Sequence, residues 1–195
     1  MRTLVLVYGR FQGQHQGHEW MVYRAHDIMS ELCTEDNPTA AELMIVPTRT
    51  YNKLNPIPFD AKLQLMRMAF PKHQHYIRDD QPSSIIDILK NNQEAFDNVI
   101  MVVGEDRLEA FDKLLNAYNM IQYEYKSIEV ISCGNRSDTG TYRQRASGTR
   151  MREAVQMRDY DLFDLYAPTA LSHAEVRDMY DQMCVYISEI QDHVS

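Results

Sequence analysis

Residues 3–7, TLVLV, are apolar on both alternating faces, the pattern of a strand buried on both sides of a parallel sheet. A parallel sheet needs a crossover after each strand, and the residues that follow supply one. His18, Met21 or Val22, Ala25, Ile28 or Met29, and Leu32 recur at helical spacing. The unit then repeats. Glu35-Asp36-Asn37-Pro38 breaks the helix, residues 43–46 form a second apolar strand, and residues 59–70 carry Leu63, Leu65 or Met66, and Ala69 as a second helix stopped by Pro71. His75-Tyr76-Ile77 reads as a short third strand. Pro82-Ser83-Ser84 opens a helix bearing Ile85, Ile86, Ile88 and Leu89, and residues 99–103 are the clearest strand in the chain. Gly104 ends that strand, Leu108, Phe111, Leu114 and Leu115 continue as a helix, and residues 128–131 supply a fifth strand.

The expected fold is therefore α/β, a doubly wound, mostly parallel five-stranded Rossmann-like sheet with helices on both faces. One domain is expected over residues 1–195, with a core over 3–156 and a C-terminal helical segment over 157–195. In that segment Val176, Met179 or Tyr180, Met183 and Ile187 mark an amphipathic helix. In such sheets ligands bind beyond the carboxyl ends of the strands, where strand order reverses. Three polar clusters follow strands here, at 9–18, 104–107 and 134–152.

Composition narrows what those clusters take. The chain is 44% hydrophobic and 25% charged, and no stretch approaches the roughly 18 apolar residues of a membrane span, so no membrane partner is expected. The run 4–7 is too short for a secretory signal and ends at Tyr8-Gly9-Arg10 without a cleavage site, so a cytoplasmic location is expected. Cys33, Cys133 and Cys184 are odd in number and lack a CxxC spacing, which indicates neither a disulfide framework nor a zinc site. A net charge of -8 argues against a sequence-independent grip on nucleic acid, while leaving room for a local basic pocket for one small anion. The oligomeric state is not fixed by one chain, and a homo-oligomer is compatible with it.

The first cluster, GRFQGQHQGH, holds Gly9, Gly13 and Gly17, which let backbone approach a ligand as in loops that cradle phosphates. His15 and His18 stand three apart at a loop-to-helix junction, so both can point to one side beside the helix N-terminus. Two imidazole donors in that place suit a phosphate that gains charge in a transition state, or else a capped polar loop. No third metal ligand at sensible spacing accompanies them. In the third cluster Ser147 and Thr149 are capping residues at a helix start, and Arg152 follows three residues after Thr149, so hydroxyls, backbone N–H groups and a guanidinium converge. Arg143, Arg145 and Arg150 add local positive charge.

Together these clusters resemble a known family. GRFQGQHQGH is similar to the GRFQPxHxGH signature of the nucleotidylyltransferase superfamily, and SGTRMR to its distal S-[SGA]-T-x-x-R motif. Val103-Gly104-Glu105-Asp106-Arg107 falls where that family has a glycine-containing nucleotide loop, and the resemblance covers about residues 3–156. "GRFQ" resembles archaeal-type nicotinamide mononucleotide adenylyltransferases, and residues 116–152 resemble nucleotidylyltransferases encoded by tailed bacteriophages. Cytidylyltransferases usually show G-x-F-D and an RTxGIST-like motif, where this chain has Gln12 and RQRASGT, which favours ATP over CTP.

The resemblance implies in-line attack of an acceptor phosphate on the α-phosphorus of ATP, transfer of AMP and release of pyrophosphate, most simply onto nicotinamide mononucleotide to give NAD. By carry-over His15, His18 and Arg152 are catalytic. Gly9, Arg10, Phe11, Gly17, Gly104, Asp106, Ser147 and Thr149 bind the nucleotide, and Mg2+ is held through its phosphates. Arg49 and Lys53 in TRTYNKLNPIPF are acceptor candidates or a solvated loop. The chain departs from the family at two places. Gly13 stands where proline is common, and Pro82 to Ile86 replace the asparagine and tryptophan that hold a pyridine ring. The one tryptophan, Trp20, reads as a packing residue. A flavin, phosphopantetheine or sugar phosphate acceptor, CTP as donor, or a nucleotide-binding sensor are the alternatives.

Overall fold

The computed structural model of the protein describes residues 1–134, 141 and 145–192, so Arg143 and most of the polar loop expected after Gly134 lie outside the described residues. The elements in chain order are β1 (Thr3–Gly9), α1 (Gln16–Leu32), β2 (Ala41–Pro47), α2 (Phe59–Ala69), α3 (Ile85–Asn92), β3 (Asn98–Val103), α4 (Leu108–Tyr118), β4 (Ser127–Ser132), α5 (Gly148–Gln156), α6 (Tyr160–Tyr166) and α7 (His173–Asp192). Short 3-10 turns over Pro71–Tyr76 and Glu105–Arg107 precede α3 and α4. The chain divides into two compact units, one of Met1–Gly9, Trp20–Val46 and Arg78–Asn135, the other of Arg10–Glu19, Pro47–Ile77 and Arg136–Ser195.

The first unit holds a four-stranded sheet in the order β2-β1-β3-β4. β1 and β3 run parallel with Thr3 opposite Asn98 and Leu6 opposite Met101, and β3 and β4 run parallel from Asn98 opposite Ser127 to Val103 opposite Ser132. Because side chains alternate along a strand, Leu4, Leu6, Met44, Val46, Val99, Met101 and Val103 share one face. They bury against Ile85, Ile88 and Leu89 of α3 and Leu115 of α4. Val5, Val7, Ile45 and Val102, on the alternate positions, are buried as well. β1 is thus buried on both faces, as TLVLV requires, whereas the edge strand β4 leaves Ser127 and Glu129 exposed. Tyr123 and Tyr125 sit in the same core with their hydroxyls donating to the Leu115 and Leu89 carbonyls at 2.8 and 2.7 Å.

The expected strand at 75–77 is corrected by the structure, which has four strands among the described residues and a 3-10 turn over Pro71–Tyr76. The physical cause is local. Pro71 sets a helical φ, and His73 N–H and Ile77 N–H are spent on the Phe70 and Gln74 carbonyls, so the segment is reduced to a single β-bridge at Ile77. The next residue, Arg78, does reach the sheet, its N–H donating to the β2 carbonyl of Ile45 at 2.9 Å.

The second unit is helical. α5 packs on α6 and α7, and α6 packs on α7. The C-terminal helical segment holds two helices, and the amphipathic one that carries Val176, Met179, Met183 and Ile187 is α7. Asp159 caps α6 by accepting from Leu162 N–H at 2.9 Å, and a reciprocal Ser172–Glu175 pair starts α7. Cys33, Cys133 and Cys184 form no disulfide among the described residues, and no helix among them is long and apolar enough to cross a membrane.

Trp20 packs across the backbone that leaves β4. A Cβ on Gly134 would lie 2.3 Å from Trp20 Cη2, and Gly134 has φ +124°, so neither space nor backbone tolerates a side chain there. Gly134→Ala is expected to lose about 1–3 kcal/mol of stability in urea unfolding, with the emission of the single tryptophan shifted to the red in the folded state. An unchanged midpoint and spectrum would contradict this packing.

Candidate active site

The loop after β1 is built by two left-handed residues. Phe11 has φ +47° and is fully buried, its ring 4.7 Å from that of His18 and 6.5 Å from Phe70. Gly13 has φ +99°, and a Cβ there would meet Met151 Cβ at 3.0 Å and Met183 Cε at 3.1 Å. A proline cannot take that φ. Glycine rather than the proline of the GRFQPxHxGH signature is therefore a requirement of this loop, which α5 and α7 close over.

Gln12 is used internally. Its Oε1 accepts from Ile57 N–H at 2.9 Å and its Nε2 donates to the Ile57 carbonyl at 3.1 Å, so the side chain pairs with the chain after β2 as a strand rung would. Its own carbonyl accepts from Arg152 Nη1 at 2.9 Å, a link across 140 residues. Arg152 Nη2 also donates to Thr149 Oγ1 at 3.3 Å. Gly148 makes this approach possible, since a Cβ there would lie 2.8 Å from the Gln12 carbonyl oxygen and 3.2 Å from Arg152 Nη1. Burial lowers the Arg152 guanidinium from its ordinary pKa, and the Arg10 charge beside it acts the same way. Two cations held near one another, one of them half-buried, suit a multiply charged anion.

The histidines sit on the same loop. His15 is fully buried, and its Nδ1 accepts from Gly17 N–H at 3.1 Å, which leaves the imidazole proton on Nε2. A Cβ on Gly17 would come within 3.0 Å of the His15 ring, so only glycine lets that ring fold back on the helix start. His18 stacks on His15 with ring centroids 3.8 Å apart. The His15 carbonyl accepts from His18 and Glu19 N–H and closes the first turn of α1. Glu19, buried in the next position, accepts from Thr169 N–H, Thr169 Oγ1 and Ala170 N–H at 2.9 to 3.0 Å.

At the start of α5, Ser147 Oγ accepts from Arg150 N–H at 3.2 Å, an N-cap. The Ala146 carbonyl lies 3.7 Å from where a Gly17 Cβ would stand. Residues 12–17 and 146–152 thus form one surface within the second unit. Arg10 joins it as an exposed charge. Arg150 turns toward α6, where its Nη1 reaches the Tyr166 hydroxyl at 3.4 Å.

Gly9 ends β1, and Gly104 follows β3 with φ -70°, where any residue is comfortable. Asp106 is exposed beside Arg107 at 3.7 Å. All three belong to the first unit. Arg49 lies over the Phe59 ring at 4.0 Å, and Lys53 is exposed on a turn that Asn52 Oδ1 clamps by accepting from Leu54 and Asn55 N–H. Among the described residues no group of three or more His, Cys, Asp or Glu could hold a metal ion.

Lys62 has no place among the sequence candidates. It is fully buried on α2, its ammonium donating to the Thr48 carbonyl, and burial pushes its pKa down to about 8. A signal for it exists in the helical period. Lys62, Met66 and Ala69 share a stripe, so the charge falls on the apolar face. No protein-family model matches the chain, and no curated protein matches it.

Gly13→Pro is expected to cost at least about 2 kcal/mol in chemical unfolding, because proline cannot adopt the required φ. Lys62→Met is expected to stabilise the protein by about 1–3 kcal/mol at pH 7. A cation disfavoured by the fold carries its full penalty below pH 8, and the penalty is relieved as pH rises from about 8 to 10.5. The advantage of the methionine variant, read as the difference in urea midpoints, should therefore shrink across that window.

Proposed function

We propose that the chain is an ATP-dependent nucleotidylyltransferase that transfers AMP to a phosphorylated acceptor and releases pyrophosphate, with nicotinamide mononucleotide as acceptor and NAD as product. The observation that carries this reading is the Arg152 guanidinium bound at once to the Gln12 carbonyl and the Thr149 hydroxyl. It brings the two motifs of the resemblance onto one surface, with the stacked histidines beside them.

In this reading an oxygen of the acceptor phosphate attacks the α-phosphorus, the bond to the α–β bridging oxygen breaks, and pyrophosphate departs with that electron pair. No protein nucleophile takes part, so the work is positioning and charge stabilisation. Ser147 Oγ and Thr149 Oγ1 each accept a bond from the chain, which leaves both hydroxyl protons for phosphate oxygens. The first N–H groups of α5 have no intrahelical acceptors and carry the positive end of the helix dipole. Arg152 and Arg10 add full charges. The proton on His15 Nε2 and the ring of His18 serve the α-phosphate as charge builds on it. Magnesium belongs to this scheme as the counter-ion of the triphosphate, held by phosphate oxygens rather than by a carboxylate cluster.

The roles of Gly104 and Asp106 toward ribose and adenine carry over from the resemblance alone. A doubly wound, Rossmann-like arrangement is supported by the strand order, which reverses between β1 and β3, and by the burial of β1 on both faces. A cytoplasmic location belongs to the same reading.

Pyrophosphate release from ATP and CTP, measured with nicotinamide mononucleotide, flavin mononucleotide, phosphopantetheine and sugar phosphates, tests the assignment. Turnover is expected with ATP and nicotinamide mononucleotide. His18→Ala is expected to lower it by about 10²-fold, and unchanged turnover in that variant would end the mechanism. ATP binding without turnover on any acceptor would leave a nucleotide sensor instead.

A further inference from the structure

Lys62 is a fully buried cation whose one hydrogen-bond acceptor among the described residues is a neutral carbonyl, that of Thr48. An ammonium offers three donors, and no carboxylate among the described residues is paired with it. The Thr48 hydroxyl is buried and has no hydrogen-bond partner among the described residues. Two buried polar side chains that share a backbone contact are thus under-satisfied together. Buried charges are ordinarily paired, and leaving one without a counter-charge is costly. A methionine would fill the same stripe of α2 without that cost, so the lysine calls for a reason other than packing.

We propose that Lys62 and Thr48 form a second anion site, just after β2, that takes the phosphate monoester of the acceptor. The assignment to the acceptor rests on the proposed function, whereas the anion site itself does not. A phosphate monoester brings up to two negative charges and several acceptor oxygens, against two unused ammonium protons and one hydroxyl proton. The next residue, Arg49, is exposed and holds its charge over the ring of Phe59, on the same helix as Lys62. Residues 49–54, which follow Thr48 directly, are exposed along their length. Gln12 connects the two anion sites. Its side chain pairs with Ile57 on the segment that holds Thr48, while its carbonyl holds Arg152. Donor and acceptor phosphates in an in-line displacement must approach from two directions onto one phosphorus, and a residue bonded both ways spans them.

The test is ligand-dependent thermal stabilisation of the full chain, with inorganic phosphate as probe of this site and tripolyphosphate as probe of the α5 turn. Inorganic phosphate is expected to raise the Tm of the wild type and of Arg152→Ala. Lys62→Met and Thr48→Val are each expected to need more than tenfold more phosphate for the same rise, with Lys62→Arg between. Tripolyphosphate should stabilise Lys62→Met as it does the wild type and lose its effect in Arg152→Ala. A wild type that phosphate does not stabilise, a methionine variant that responds like the wild type, or a phosphate response lost equally in Arg152→Ala overturns the proposal. If the phosphate pattern holds while no acceptor supports turnover, the anion site stands and the proposed function falls. If turnover holds without that pattern, the reverse follows.

Discussion

The contact between Arg152 and the Gln12 carbonyl governs this site. A backbone oxygen in a tight loop would ordinarily seek water or a neighbouring N–H, and here it takes a charge-assisted bond from a guanidinium 140 residues away. That bond exists because residue 148 has no side chain, and it orients an arginine whose other nitrogen holds Thr149. The loop is pinned on its opposite edge by the Gln12 side chain. One residue thereby sets the distance between the chain after β2 and the start of α5.

The two histidines show the same economy. His15 is held by a hydrogen bond from the backbone two residues on, and its stacked partner is braced by the buried ring of Phe11. Each glycine in the loop answers a separate steric demand: Gly17 clears the His15 ring, and Gly13 takes a backbone angle under two methionines. Fixing the rings in advance matters because donors that need no reorganisation stabilise developing charge best.

Strands β1 to β3 were legible because a short run that is apolar at every position suits little besides the inside of a parallel sheet, while β4 showed as β-branched residues around an exposed Glu129. The 75–77 segment misled because three residues give a periodicity no time to declare itself, and the proline that set the turn stood four positions earlier. At the site, the residue types were legible and their commitments were not. The cap at Ser147 could be read from SGTRMR, but nothing in that motif says that Arg152 spends a donor on Gln12. The conformation of Gly13 is equally silent in a sequence, since glycine is written alike whether it is needed for φ, for space or for neither. Lys62 was readable as a charge on an apolar stripe, but a pattern search that looks for apolar residues passes over the exception.

Glu19 carries a further consequence. Its carboxylate, 2% exposed and one residue beyond His18, is satisfied by Thr169 and Ala170, and the Met183 methyl stands over Gly13. A chain shortened to end after Gln156 would keep every residue of both motifs. It would also strand a buried carboxylate at the base of the histidine helix without its three donors. Motif completeness and a foldable site therefore have different boundaries in this protein, and the smallest piece able to hold the histidines reaches well into α7.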